Sequence, residues 1–186
     1  MRKNFGVKTW LYPMPVWIVA AYDAEGNPNA MNAAWGGTHT DDKLGICLDS
    51  THKTTQNILA TKAFTVSMGT VEQVKACDYV GIVSGNKEPD KLAKAGFHAV
   101  QSAYVHAPVI KELPMTLECE LESYDEETCY MVGRIVNVSA EESVLDADGK
   151  INPQLLRPIM YDPVHRHYYE LGAKVGNAFS DGRALK

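Results

Sequence analysis

The stretch Ser50-Thr51-His52-Lys53-Thr54-Thr55 places hydroxyls, an imidazole and an ammonium in consecutive positions, between a short apolar run and a segment with helical spacing. Free N–H groups at a helix start, hydroxyl donors and one or two cations together make a site for a phosphate dianion. A helix cap at Ser50 or Thr54 accounts for the same hydroxyls and is the simpler reading of the sequence alone, although it leaves Lys53 without a role.

A second stretch, Asn29-Ala30-Met31-Asn32-Ala33-Ala34-Trp35-Gly36-Gly37, offers small side chains along which a flat heterocycle could lie against the backbone, its polar edge meeting main-chain N–H and C=O groups. An ordinary tight strand with a glycine bulge is the simpler reading of those residues taken alone. His165 and His167 stand at i, i+2, which on a strand sets both on one face. No carboxylate or cysteine cluster accompanies them, so surface or interface histidines are expected and no metal. The chain contains no G-x-S-x-G, H-E-x-x-H, G-x-x-x-x-G-K-[ST] or G-x-G-x-x-G. An enzyme without such motifs often leaves the hard chemistry to an organic cofactor, which the protein holds and tunes.

Several elements must position these residues. Val16 to Tyr22, β-branched and aromatic, reads as a strand; it ends at Asp23, Gly26, Asn27 and Pro28, all turn formers. Asn29 to Trp35 then forms the second arm of a hairpin that finishes at Gly36-Gly37. Leu44 to Leu48 and Phe64 to Met68 are short strands, with a helix over Thr55 to Thr61 between them. Helical spacing covers residues 71 to 80, and Asp90 to Ala95 is a short helix closed by Gly96. From Met115 to Tyr124, Leu117, Cys119 and Leu121 face one way and Glu118, Glu120 and Glu122 the other, which makes one face wet. Tyr130 to Ser139, apolar on both sides, reads as a strand covered on both faces. Strands with inserted helices and no regular βαβ repeat point to a mainly β fold with peripheral helices, a barrel or sandwich.

The 186 residues, 45% of them hydrophobic, suffice for a single packed domain over 1–186, with 151–186 as its C-terminal extension. With 23 acidic residues against 18 basic ones the net charge is -5, which argues against a nucleic-acid partner. No apolar run has the length of a membrane span or the form of a signal peptide, so a cytoplasmic protein is expected. Cys47, Cys77, Cys119 and Cys129 are widely spaced, with no C-x-x-C pair, and are read as buried free thiols. Pairing around Asp125-Glu126-Glu127 would set Cys129 opposite residue 123 or 124, too far from Cys119 for a bridge.

Taken in order along the chain, these segments resemble the flavin reductase-like family, in particular its flavoredoxin-type branch. The likeness runs from Pro15-Val16 through Gly26-x-Pro28-Asn29-Ala30 and Asn32-Ala33-Ala34-Trp35 to the Thr54 loop and Phe64-x-Val66. It is sharpest in Asp78-x-x-Gly81-x-x-Ser84-Gly85, followed by Asp90-Lys91, and in Ala107-Pro108-x-Ile110-x-Glu112 leading to Leu117-Glu118-Cys119. Tyr169-x-Leu171-Gly172, Gly176 and Phe179 match the closing segment. The resemblance implies a homodimeric FMN-binding split β-barrel, with flavin at the subunit interface. It places the phosphate at Ser50, Thr51, His52, Lys53 and Thr54 and the isoalloxazine against Asn32, Ala33, Ala34, Trp35 and Gly36; Asn57, Ser84, Gly85, Lys91 and Tyr169 complete the set. It further implies hydride transfer from NADH or NADPH onto flavin N5 with no obligatory protein acid or base, and onward transfer to an acceptor, which could be a redox protein. Relatives commonly carry Arg in the phosphate loop; here His52 and Lys53 stand instead, a point charge in place of a fork. A non-catalytic FMN-binding electron carrier and a barrel holding haem or pyridoxal phosphate are the alternatives.

Overall fold

The computed structural model describes residues 1–185. After a short strand β1 (Met14–Pro15), β2 (Trp17–Tyr22) and β3 (Pro28–Ala33) form an antiparallel hairpin, Trp17 opposite Ala33 and Tyr22 opposite Pro28. Asp23 sets the turn. Its Oδ1 accepts from the backbone N–H of Glu25 at 3.1 Å and of Asn27 at 2.8 Å, while Gly26 takes a φ of 86°, which a residue with a Cβ adopts only under strain. β2 is an unbroken apolar run because both of its faces are covered. Ile18 and Ala20 enter a core with Val80, Leu92 and Phe97, whereas Val19 and Ala21 enter another with Ile46, Phe64 and Met131.

The Gly36-Gly37 pair does not finish that hairpin. It opens the next strand, β4 (Gly36–Thr40), which pairs with β5 (Lys43–Cys47). The ring of Trp17 lies so close that a Cβ on Gly36 would come within 2.4 Å of Trp17 Cζ3, so the glycine serves a close approach within the sheet. α1 (Lys53–Thr61) begins at Lys53 rather than at Thr55, and β6 (Ala63–Met68) follows it. α2 (Val74–Ile82) is displaced from residues 71–80. Gln73 N–H bonds Thr70 O and Val74 N–H bonds Val71 O, a turn that occupies the start of the expected helix. α3 (Lys91–Ala95) ends as its glycine predicts, with Gly96 at φ 76°.

The chain then forms a small hairpin of β7 (Ala99–Gln101) and β8 (Pro108–Ile110), the long arms β9 (Met115–Asp125) and β10 (Tyr130–Ala140), α4 (Pro153–Leu156), and the hairpin of β11 (Ile159–Asp162) and β12 (His167–Glu170). Seven strands in the order β3-β2-β6-β9-β10-β5-β4, all antiparallel, curl into a half-barrel. β11 also pairs with β1, making a separate three-stranded sheet β1-β11-β12. Among the described residues no helix is long and apolar enough to cross a membrane.

Burial differs from the sequence expectation at three further places. Glu118 is not on a wet face: it is 2% exposed, accepting a short bond from Ser102 Oγ and one from Asn137 Nδ2 at 2.7 Å. Its alternation with Glu120 and Glu122 hides this, because Ser102, from the segment between β7 and β8, reaches Glu118 from elsewhere in the chain. β10 is covered on both faces only at Met131, Val132 and Gly133; Arg134, Val136 and Val138 are exposed. The four thiols are free, but Cys47 is exposed and Cys129 half-buried. Tyr130 pairs with Asp125, which leaves Cys129 in the turn at φ 57° rather than opposite Ser123 or Tyr124, while Cys119 pairs with Ile135. Burial pushes the Cys77 and Cys119 thiols up to about 12, so both remain protonated packing groups.

Candidate functional site

The residue before α1 is His52, in extended conformation, and neither it nor Thr54 or Ser50 caps the helix with a side chain. No acidic residue stands in the first turn. The first-turn N–H groups and the positive end of the helix dipole are therefore uncompensated from within. Asp49 helps hold the entering loop: its Oδ1 accepts from Thr51 N–H at 2.8 Å and from Thr51 Oγ1 at 2.6 Å, and Asn86 Nδ2 donates to Thr51 O at 3.0 Å. Buried Thr54 donates through Oγ1 to Asn29 Oδ1 at 2.9 Å, tying the helix start to β3. Lys53 Nζ stands 3.5 Å from Asp23 Oδ2.

Opposite β3 lies α2 with the turn that follows it. Asn32 Nδ2 donates to Cys77 O at 3.1 Å, and a Cβ on Gly81 would fall 2.9 Å from Asn32 Cβ, so helix and strand meet at a glycine. Gly85 lies even closer to Asn29, where a Cβ would be 2.2 Å from Nδ2. Across this wall runs Lys91, 2% exposed, whose Nζ donates to Val80 O at 3.0 Å and Val83 O at 2.9 Å. Among the described residues it has no carboxylate partner, and burial lowers its pKa to about 8. A buried ammonium in that state favours an arriving anion.

These walls enclose two adjoining compartments that share Met31, Asn32, His52, Gly81 and Ile82. The smaller, about 280 Å³, is lined by His52, Lys53, Thr54, Ser84, Gly85 and Lys91 and contains no aspartate or glutamate. The larger, about 430 Å³, runs along Ala33, Ala34 and Trp35 and is faced by Leu48, Ile82, Tyr161 and Tyr168. Tyr168 OH donates to Asp78 Oδ1 at 2.8 Å; burial, with this bond second, pushes the phenol above its usual range. A cleft with a donor-lined, acid-free end and an apolar end fits a molecule with a phosphorylated tail and a flat ring system, as FMN has. Among the described residues no group of three or more His, Cys, Asp or Glu could hold a metal ion.

Of the residues singled out in the sequence, Asn32, Ala33, Ala34, Trp35, His52, Lys53, Thr54, Ser84, Gly85 and Lys91 are brought to this cleft. Five others are not. Gly36 lines an apolar cavity beneath β1. Asn57 is buried, donating to Ala21 O at 3.3 Å. Thr51 is spent on Asp49, and Ser50 stands outside the lining. Strand alternation turns Tyr168 toward the cleft and Tyr169 away from it, against His167. The cleft also contains Cys47, Asp78, Gly81, Ile82, Tyr161, Arg166 and Tyr168, which sequence reasoning did not place there. Gly81 and Asp78 had a signal in Asp78-x-x-Gly81; Cys47 and Arg166 had none.

Comparison with known proteins bears on the same architecture. A flavoredoxin of Desulfovibrio vulgaris (Miyazaki F) superposes with a TM-score of 0.93 at 36% identity, covering 98% of this chain and 100% of that one. A flavoredoxin from Methanosarcina acetivorans gives 0.88 at 27% identity over 100% of both chains. A putative flavin reductase with a split barrel domain from Shewanella frigidimarina, at 17% identity, shares the fold with a TM-score of 0.76 over 88% of this chain and 84% of that one. The half-barrel is thus the split β-barrel expected from the sequence. Residues 9–172 match the family model for the flavin reductase like domain, and the chain belongs to that family.

Proposed function

We propose that the protein is an FMN-binding oxidoreductase that accepts hydride from NADH or NADPH and passes electrons to an acceptor. The observation that carries this is the acid-free compartment at the start of α1, where an uncapped helix end, Lys53 and buried Lys91 converge beside an apolar cleft. The phosphate would be held by the first-turn N–H groups, that of Thr54 among them, by Ser84 and by the two lysines. The ring would lie along Ala33, Ala34 and Trp35, with Ile82 and Tyr168 excluding water. When bound, FMN supplies the redox chemistry through N5, which takes up a hydride, that is, a proton with two electrons. The chain's own part is to bind, orient and shield. The flavoredoxin likeness supports the reading.

We take the working form to be a cytoplasmic homodimer. Phe5, Leu11, Val175 and Phe179 are exposed apolar residues on the terminal arms, surface that a second subunit would cover. Light scattering with FMN present tests this: a monomer at micromolar concentration contradicts it. Anaerobic mixing of the FMN-loaded protein with NADH and with NADPH tests the activity. Rapid bleaching by either donor is expected, and persistence of the oxidised spectrum with both would leave an electron carrier instead.

A further inference from the structure

The segment His165-Arg166-His167 has no part in holding flavin as described above, yet the fold brings Arg166 to the wall of the apolar compartment, facing the Ala33–Trp35 side together with Tyr161 and Tyr168. It sits in the β11–β12 hairpin, whose turn is built rather than loose. Asp162, 2% exposed, accepts from Tyr12 OH, from Val164 N–H at 2.8 Å and bonds His165 Nδ1 at 2.8 Å; Arg166 N–H closes the turn on Asp162 O at 2.9 Å. Arg166 holds a φ of 60°, a position where glycine or asparagine is less strained.

The two carboxylates nearby are occupied. Asp162 serves the turn, and Asp78, on the same cavity wall, takes the Tyr168 hydroxyl. Among the described residues the Arg166 guanidinium makes no ion pair or side-chain hydrogen bond, while His165 and His167 stack on each other at 5.8 Å between centroids. An unpaired, planar fork on a pinned turn, at the rim of an apolar cavity, is suited to an anionic oxygen group.

We propose that Arg166 is the anion-recognising residue of the substrate site: it grips a phosphate or carboxylate of the molecule that stacks over the flavin. This rests on the proposed FMN function. The anion could belong to the donor, as the phosphates of NADH or NADPH, or to a carboxylated acceptor. Each half-reaction is therefore measured with a charged and an uncharged probe on Arg166→Gly, which relieves the left-handed conformation, and on Arg166→Gln. For reduction the probes are NADH, NADPH and uncharged 1-benzyl-1,4-dihydronicotinamide. For reoxidation of photoreduced protein they are 4-nitrobenzoate and its methyl ester.

The preference for the charged over the uncharged probe should fall on the order of tenfold or more in one half-reaction, which names the source of the anion, and Arg166→Lys should restore part of it. An unchanged preference in both halves, or equal loss for charged and uncharged probes, overturns the proposal. FMN fluorescence quenching on the same proteins keeps the two ideas apart. If FMN binds and the charge preference does not respond, only the role of Arg166 fails; if the parent binds no FMN, the functional reading fails and takes this proposal with it.

Discussion

Replacing Lys91 by Met keeps a side chain of similar reach and removes one buried ammonium. The pKa falls from 10.5 to about 8 on burial, so the fold disfavours the charged form by roughly 3 kcal/mol before any anion arrives. Met relieves that cost but deprives Val80 O and Val83 O of their donor, at about 1 kcal/mol each. Stability near neutral pH should therefore change by no more than about 1–2 kcal/mol. Flavin affinity should respond more strongly. A charge-assisted contact worth about 1.5–3 kcal/mol predicts a loss of FMN affinity on the order of tenfold to a hundredfold, with riboflavin, which has no phosphate, scarcely affected.

The sign of the pH dependence follows. Without ligand the folded protein holds the Lys91 proton less tightly than the unfolded chain. The unfolded state binds more protons between about 8 and 10.5, and the lysine's destabilising contribution, full below about 8, fades across that window. A bound phosphate raises the lysine again, so FMN affinity in the parent should fall as pH climbs past about 8, and the variant should lose that dependence. Parallel quenching titrations with FMN and riboflavin on either side of that pH provide the assay. Equal losses for the two flavins, or a parent whose FMN affinity ignores pH, would mean that Lys91 does not meet the phosphate.

Lys53→Ala should also weaken FMN more than riboflavin, but less than Lys91→Met, because Lys53 is about a third exposed and shared with Asp23; added salt should shrink its effect, as titrations over ionic strength will show. Gly85→Ala forces a Cβ into the Asn29 amide and should displace Asn29 from Thr54, costing about 1–3 kcal/mol by denaturant unfolding together with FMN affinity; an unchanged unfolding midpoint would contradict this. Asp162→Asn should loosen the N-terminal arm that Tyr12 ties down, read as faster limited proteolysis before residue 14. The Tyr12 bond, foremost, holds this carboxyl well below its usual range, so the parent's latch should persist as pH falls through the ordinary carboxylate range and open only in stronger acid.

Much of this was legible in the sequence where one local signal dominated. The turn at Asp23–Pro28, the glycine stop at Gly96 and the hairpin arms flanking 125–127 are decided by nearby residues, and they appear where the pattern places them. The donors of the phosphate compartment were visible as a composition, Ser50 to Thr55, but which of them turn inward depends on where α1 starts, and that is set by tertiary contacts such as Thr54 with Asn29. Glu118 deceived the alternation rule because a distant loop covers it, and Gly36 read as a terminator because its reason, the Trp17 ring, lies elsewhere in the chain. Tyr168 and Tyr169 differ by one position in strand register, which no composition reveals. Arg166 lies between two histidines that read as surface or interface residues, and the β11–β12 turn brings it to the cleft.

Whether this cleft binds FMN through its phosphate is decided by titrating the purified, flavin-stripped protein with FMN and following flavin fluorescence. Saturable quenching at one FMN per chain is expected, with riboflavin weaker on the order of tenfold or more. A protein that leaves FMN fluorescence unchanged at micromolar concentration, or binds riboflavin as tightly as FMN, would contradict it.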